Sequence, residues 1–174
     1  TIELLFQILG LGSASGLVYK DNSIFIISDN SSYLYQYQIQ EKELSKIQLL
    51  ENGQENIPKK DKYDFESIAL KENELHLLGS GSTNKREKRI IYYLKSKDVV
   101  EKDLSKLYKK LKQSTSIADD ELNIEGSLFC KDSWFLFQRG NGDKKKNGIF
   151  NTTSLKSESQ IEFIKIQLPK IKHI

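Results

Sequence analysis

The stretch Ser15-Gly-Leu-Val-Tyr-Lys-Asp-Asn-Ser-Ile-Phe-Ile-Ile-Ser-Asp29 returns twice in the same chain. The copies are Glu66-Ser-Ile-Ala-Leu-Lys-Glu-Asn-Glu-Leu-His-Leu-Leu-Gly-Ser80 and Glu125-Gly-Ser-Leu-Phe-Cys-Lys-Asp-Ser-Trp-Phe-Leu-Phe-Gln-Arg139. They align without a gap, offset by 51 and 59 residues (15 to 66, 66 to 125). Each opens on a hydroxyl or acidic residue, runs through a short apolar strand and meets a polar turn. Four mostly apolar residues follow: Ile24 to Ile27, Leu75 to Leu78, Trp134 to Phe137. Asp21-Asn22, Glu72-Asn73 and Asp132-Ser133 tolerate tight-turn geometry and bond their own backbone, so each copy predicts a hairpin. The continuous apolar runs after the turns read as strands buried on both faces.

Working outward, each hairpin is followed by two more strand patterns. Tyr33, Tyr35, Tyr37 and Ile39 alternate on one face, and Leu44 to Leu49 comes next. The second copy is followed by Arg89 to Leu94 and the region of Val99, the third by Gly148 to Phe150 and Ile161 to Leu168. Four short antiparallel strands at a period of about 50 residues are the pattern of a β-propeller blade. A small β-sandwich is the rival, but it need not repeat its sequence. The expected fold is therefore all-β, a partial propeller in one domain, with units over about 12–50, 64–101 and 122–168. Propellers have about four to eight blades, so three do not close a circle. The chain is then part of a longer protein, whose remaining blades are its partners, or part of an oligomeric ring. The first is preferred, and the lack of any methionine fits a trimmed start. A helical insert is expected over about 103–113. Leu104, Leu107, Tyr108 and Leu111 share one helical face, with Asp103 as N-cap and Lys109, Lys110 and Lys112 at the C-terminal end of the dipole.

Composition narrows the function classes. With 37% hydrophobic residues in 174, there is material for a core. No apolar run approaches the ~20 residues of a membrane-spanning helix. The single cysteine, Cys130, excludes an intrachain disulfide or a cysteine-based metal cluster, and is expected to be a buried or semi-exposed structural thiol. The net charge of +3 is gathered in short loop runs such as Lys59-Lys60-Asp61-Lys62 and Lys144-Lys145-Lys146. Acids lie nearby and aromatics do not interleave with these runs, so a solvated surface rather than nucleic-acid binding is expected. Residues 1–9 read as a first strand rather than a signal peptide, because no basic residue precedes Lys20. The expected location is the cytoplasm, with a trimmed signal peptide as the alternative.

Two glycine-rich stretches invite nucleotide readings. Gly10-Leu-Gly-Ser-Ala-Ser-Gly16 leads into a strand, whereas a dinucleotide loop must open a helix. Gly79-Ser-Gly-Ser-Thr83 lacks a following Gly-Lys-Ser/Thr. It reads as a turn, with Arg86 and successive N–H groups able to meet an anion. His76 lies within an apolar strand and reads as structural, and no nucleophile elbow supports a Ser–His–Asp site.

Several motifs carry a family resemblance over nearly the whole chain. These are Gly12-Ser-Ala-Ser-Gly-Leu-Val-Tyr19 with Ile27-Ser-Asp-Asn-Ser31, Asp64-Phe-Glu-Ser-Ile68, Gly79-Ser-Gly-Ser82 with Arg86, Asn123-Ile-Glu-Gly126 and Arg139-Gly-Asn-Gly142. Together they resemble an uncharacterised family of propeller-like proteins found mainly in Bacteroidetes. More distantly, the acidic pattern is similar to esterase-like phytase and SdiA-regulated propellers, some of which bind calcium near the axis. The resemblance implies further blades and, through the distant relatives, a calcium-assisted activity; the close family carries no established one.

Position in the repeat nominates the site. Glu66 and Glu125 are equivalent, at the start of the strand that would line the propeller channel. Carboxylates gathered there can hold a hard cation such as Ca²⁺ or act as acid and base. Asp29, Ser80 and Arg139 are equivalent at the other end of the hairpin, and Asp64 and Asn141 flank them. The ligand-binding candidates are Glu66, Glu125, Arg139, Asp29, Asn141 and Asp64, with Glu66 and Glu125 as candidate metal ligands. The leading expectation is a binding module for a small molecule, anion or cation. The alternatives are a calcium-assisted hydrolase of phosphate or carboxylic esters and a protein-interaction scaffold. Whether the chain is an enzyme stays open at this point.

Overall fold

The computed structural model describes residues 3–4, 6–118, 121–140 and 146–167. Three antiparallel four-stranded sheets follow one another along the chain, as the repeat predicts. The first blade holds β1 (Ala14–Lys20), β2 (Ser23–Ser28), β3 (Tyr33–Gln38) and β4 (Glu43–Gln48). The second holds β5 (Phe65–Lys71), β6 (Glu74–Gly79), β7 (Lys88–Tyr93) and β8 (Val99–Asp103). The third holds β9 (Ile124–Cys130), β10 (Ser133–Gln138), β11 (Gly148–Thr152) and β12 (Ile161–Lys165). Within each sheet the strands lie in sequence order. The opening strands β1, β5 and β9 lie side by side across the three blades, and β4, β8 and β12 are outermost and largely exposed. Lysines and glutamates on those outer strands discourage edge-to-edge pairing.

The hairpin turns show why these residues stand where they do. Asp21 and Asn22 have φ of 48° and 59°, and Lys131 and Asp132 repeat those values. Positive φ at both central residues suits the twist of a two-residue hairpin, and Asn and Asp bear it at low cost. The third turn lies one residue before the expected Asp132-Ser133, because Cys130 pairs with Ser133. One further bond repeats in every blade: Asp29 N to Ser13 O (3.3 Å), Ser80 N to Asp64 O (3.0 Å) and Arg139 N to Asn123 O (3.0 Å). Each ties the end of the hairpin to the residue two before the repeat start.

Two cores join the blades. Phe25, Ile27, Leu34, Phe65, Ile68, Leu75, Leu77 and Ile90 fill the space between the first and second. Ala69, Leu78, Ile124, Trp134, Leu136 and Phe150 fill that between the second and third. Helix α1 (Ser105–Thr115) buries Leu107, Tyr108 and Leu111 in the latter, on the expected face. Its N-cap is Leu104 rather than Asp103. Asp103 still serves the helix end, since its Oδ1 accepts the Ser105 N–H at 2.8 Å. No helix of the described residues is long and apolar enough to cross a membrane.

Two more expectations are corrected. Residues 6–9 form no strand; Phe6 stacks on Tyr37 of β3, with centroids 5.4 Å apart, so the segment lies against a sheet rather than along an edge. Cys130 is exposed rather than buried or semi-exposed, because the β9–β10 turn carries it past the core. His76 is buried, its ring edge-on to Trp134 at 4.9 Å, and serves packing as expected.

Candidate functional site

A β-bulge opens every blade. Ala14 pairs with Ser28 but Gly16 with Ile27, leaving Ser15 as the extra residue. Phe65 pairs with Gly79 and Ser67 with Leu78, leaving Glu66. Ile124 pairs with Gln138 and Gly126 with Phe137, leaving Glu125. The three residues that start the sequence repeat are therefore the three bulged ones. A bulge breaks the ladder locally and re-aims a side chain. That is the structural reason the repeat begins on a polar residue inside an otherwise apolar strand.

Around Glu66 the bulge, the loop before β5 and the end of β2 converge. Asp29, Asp64 and Glu66 each place one carboxylate oxygen within 4.8 Å of the others. Lys62 bridges the two aspartates, bonding Asp29 Oδ2 and lying 2.7 Å from Asp64 Oδ1. Burial alone would lower the Lys62 pKa, but its bonds to Asp29 and Asp64 outweigh that and raise it. Asp64 is buried and fully engaged. Its Oδ2 accepts from Ser80 Oγ at 2.7 Å and meets Arg86 Nη1 at 2.9 Å. Arg86 also donates to Ser82 Oγ (2.9 Å) and to the Lys59 carbonyl (3.2 Å). Its guanidinium is thus committed to the protein's own groups. The Gly79–Ser82 turn needs its glycines: a Cβ on Gly79 would come 2.3 Å from the Arg86 carbonyl oxygen, and Gly81 has φ of 78°. From α1, Tyr108 Oη donates to the Gly79 carbonyl at 2.7 Å, anchoring the turn from beneath.

Acceptors in this cluster lack donors among the described residues. Asp29 Oδ1 is buried without a hydrogen bond, and no described residue donates to the Glu66 carboxylate. Desolvation first, then the charges of Asp64, Glu125 and Asp29, push the Glu66 pKa up to about 7, against a smaller opposing pull from Lys62. Glu125 lies close enough to be felt there but keeps its own company. Its Oε1 accepts from Asn123 Nδ2 and from Arg139 Nη1, the latter at 3.1 Å. Arg139 is two-thirds exposed. Asn141 lies outside the described residues.

The structure therefore gathers Asp29, Asp64 and Glu66, and sets Glu125 and Arg139 beside them as an ion pair. Ser80 also belongs to the site. Lys62 was not singled out, because a lysine in a charged loop reads as solvated. Nothing in the sequence marks it as the one that turns inward.

The geometry defines a class: a propeller-like repeat protein with a charged cluster where the opening strands of its blades begin. Residues 10–174 match a family of unknown function, DUF6929, and the chain belongs to that family. No curated protein matches it.

Proposed function

We propose that the chain is a propeller-type binding module whose bulge-borne acid cluster takes the cationic or hydrogen-bond-donating part of a small ligand. One observation carries the reading. Asp29 Oδ1 is buried without a partner and no described residue donates to the Glu66 carboxylate, while the nearby bases Lys62, Arg86 and Arg139 are all engaged with other groups. Buried polar groups are normally satisfied, so unpaired acceptors converging at one place favour a donor from outside. A divalent cation such as Ca²⁺ fits the donor set, which is all oxygen. It would have to displace the Lys62 ammonium from between Asp29 and Asp64.

Titration calorimetry with CaCl₂ tests this version. Wild type binds weakly, Lys62→Gln binds at least tenfold more tightly because both aspartates are released, and Glu66→Gln loses binding. No heat from either wild type or Lys62→Gln removes the cation version and leaves an organic ammonium or amide donor as ligand. The second reading is the ester hydrolase implied by the distant resemblance to esterase-like phytases. Its support is a half-buried carboxylate beside already neutralised acids, an arrangement suited to holding or passing a proton. Turnover of p-nitrophenyl phosphate or acetate that Glu66→Gln abolishes would favour it.

A further inference from the structure

A groove of about 630 Å³ runs between α1 and the end of the Gly79–Ser82 turn. Its walls are tied together in three places. Tyr108 Oη donates to the Gly79 carbonyl at 2.7 Å, the Leu104 N–H donates to the Glu87 carbonyl at 2.8 Å, and Lys112 Nζ meets Glu87 Oε1 at 3.0 Å. Gly81 lets the turn come close to the helix, since a Cβ there would lie 3.3 Å from the Tyr108 ring. The groove is therefore preformed, and its volume lies in the range of small-molecule sites.

Each charged group that lines it can be accounted for. Lys106, Lys109 and Lys112 come from α1, Glu87 and Asp103 from the second blade. Glu87 is buried and holds Lys112. Asp103 accepts from Ser105 through Oδ1 and meets Lys88 through Oδ2 at 3.3 Å. Both acids are thus neutralised. Lys109, by contrast, bonds no described residue, and Lys106 has only the longer reach of its charge to the exposed Glu158. These two lysines stand three apart on one helix face, where like charges repel and two ammonium groups can converge on one anion. The hydroxyls sort in the same way. Ser80 Oγ gives its hydrogen to Asp64, so Ser82 Oγ donates to Ser80 at 3.0 Å while accepting from Arg86. Arg86, the cation expected to meet an anion at this turn, is held by Asp64. Thr83 and Asn84 line the groove with side-chain donors that no described residue uses.

We propose that this groove binds a small molecule carrying a phosphate monoester, whose dianion bridges Lys106 and Lys109 while Thr83 and Asn84 donate to the groups beside it. A phosphate monoester carries a charge of about −1.5 to −2 at neutral pH and so matches two ammonium groups. A carboxylate would instead favour the flat fork of a free arginine. The groove is far larger than one phosphate group, which leaves room for the organic part. The site is separate from the acid cluster: Ser80 of the shared turn serves Asp64, whereas Ser82 borders the groove. It stands whether or not a cation binds at Glu66.

Amide NMR titration in low salt tests the proposal, with ribose 5-phosphate as the probe and ribose and inorganic phosphate alongside. Ribose 5-phosphate should give saturable shifts at Ser82 to Asn84 and along α1. Inorganic phosphate should bind more weakly at the same place, and ribose should not bind. Lys106→Gln and Lys109→Gln change exposed helix positions at little cost in helix propensity, so the rest of the spectrum should hold. Each should weaken binding about fivefold, and the double variant should lose it. Lys42→Gln, at an exposed lysine of the first blade, should bind as wild type does. No saturable shift in the wild-type chain overturns the proposal. So does an equal loss in Lys42→Gln, which would mean diffuse attraction by the net charge. A single-stranded DNA oligonucleotide that binds more tightly than ribose 5-phosphate, and is weakened by the same two substitutions, overturns the small-molecule class in favour of nucleic acid.

Discussion

Glu66 occupies an extra residue in β5, half-buried, under the charges of Asp64, Glu125 and Asp29 and with no donor among the described residues. Its pKa of about 7 stands above the usual 4.5, so the folded protein holds this proton more tightly than the unfolded chain does. The resulting stability is fully present below about pH 4.5 and is lost as pH climbs through 7. A shift of that size corresponds to about 3 kcal/mol, and solvent screening at a half-exposed group reduces it to roughly 1 kcal/mol. Glu66→Gln should therefore melt about 2–4 °C higher than wild type at pH 8. The two curves should converge at pH 4.5; a constant offset across pH would mean that packing, not charge, governs the position. Residue identity was legible here and environment was not. The repeat alignment marks Glu66 and Glu125 as equivalent, yet one is left without a donor while the other is held by Asn123 and Arg139. That difference arises from loops outside the repeat, which bring Lys62 and Arg86 in beside Asp64.

At the scale of the element, turns and strands were read closely because their causes are local. Asp-Asn and Lys-Asp at positive φ specify the hairpins, and the tyrosines of β3 and the leucines of α1 follow their periods. The bulges were not legible, since an unpaired residue leaves the sequence alternation intact on either side of it. Nor was the course of residues 6–9, where an apolar segment suits lying on a sheet face as well as joining an edge. The role of α1 is also clearer in the structure: it covers the core between the second and third blades and anchors the Gly79–Ser82 turn through Tyr108. Burial pushes the Tyr108 phenol well above its ordinary pKa, so it stays a neutral donor at any physiological pH. Tyr108→Phe removes the buried bond to the Gly79 carbonyl and should cost about 1 kcal/mol. It should also loosen the turn that sets Ser80 against Asp64. Faster amide exchange at Ser80 and Gly81, with β10 and β11 unaffected, is the expected signature. Uniform acceleration would instead indicate a helix that supports the whole fold.

Over the whole molecule, every strand pairs only with its neighbours in sequence, and each blade–blade core joins consecutive segments. All eight strands of the first two blades, and the core between them, lie within residues 14–103. On a ribosome, that half of the fold can close before the third blade has been translated, because no later segment contributes a strand to it. Stalled nascent chains should gain protease resistance in two steps. The first comes as Asp103 clears the exit tunnel and the second after Lys165. Between those steps the Ala69 and Leu78 face of the second blade, which the third blade later covers, is on display, and that interval is the chain's most aggregation-prone moment.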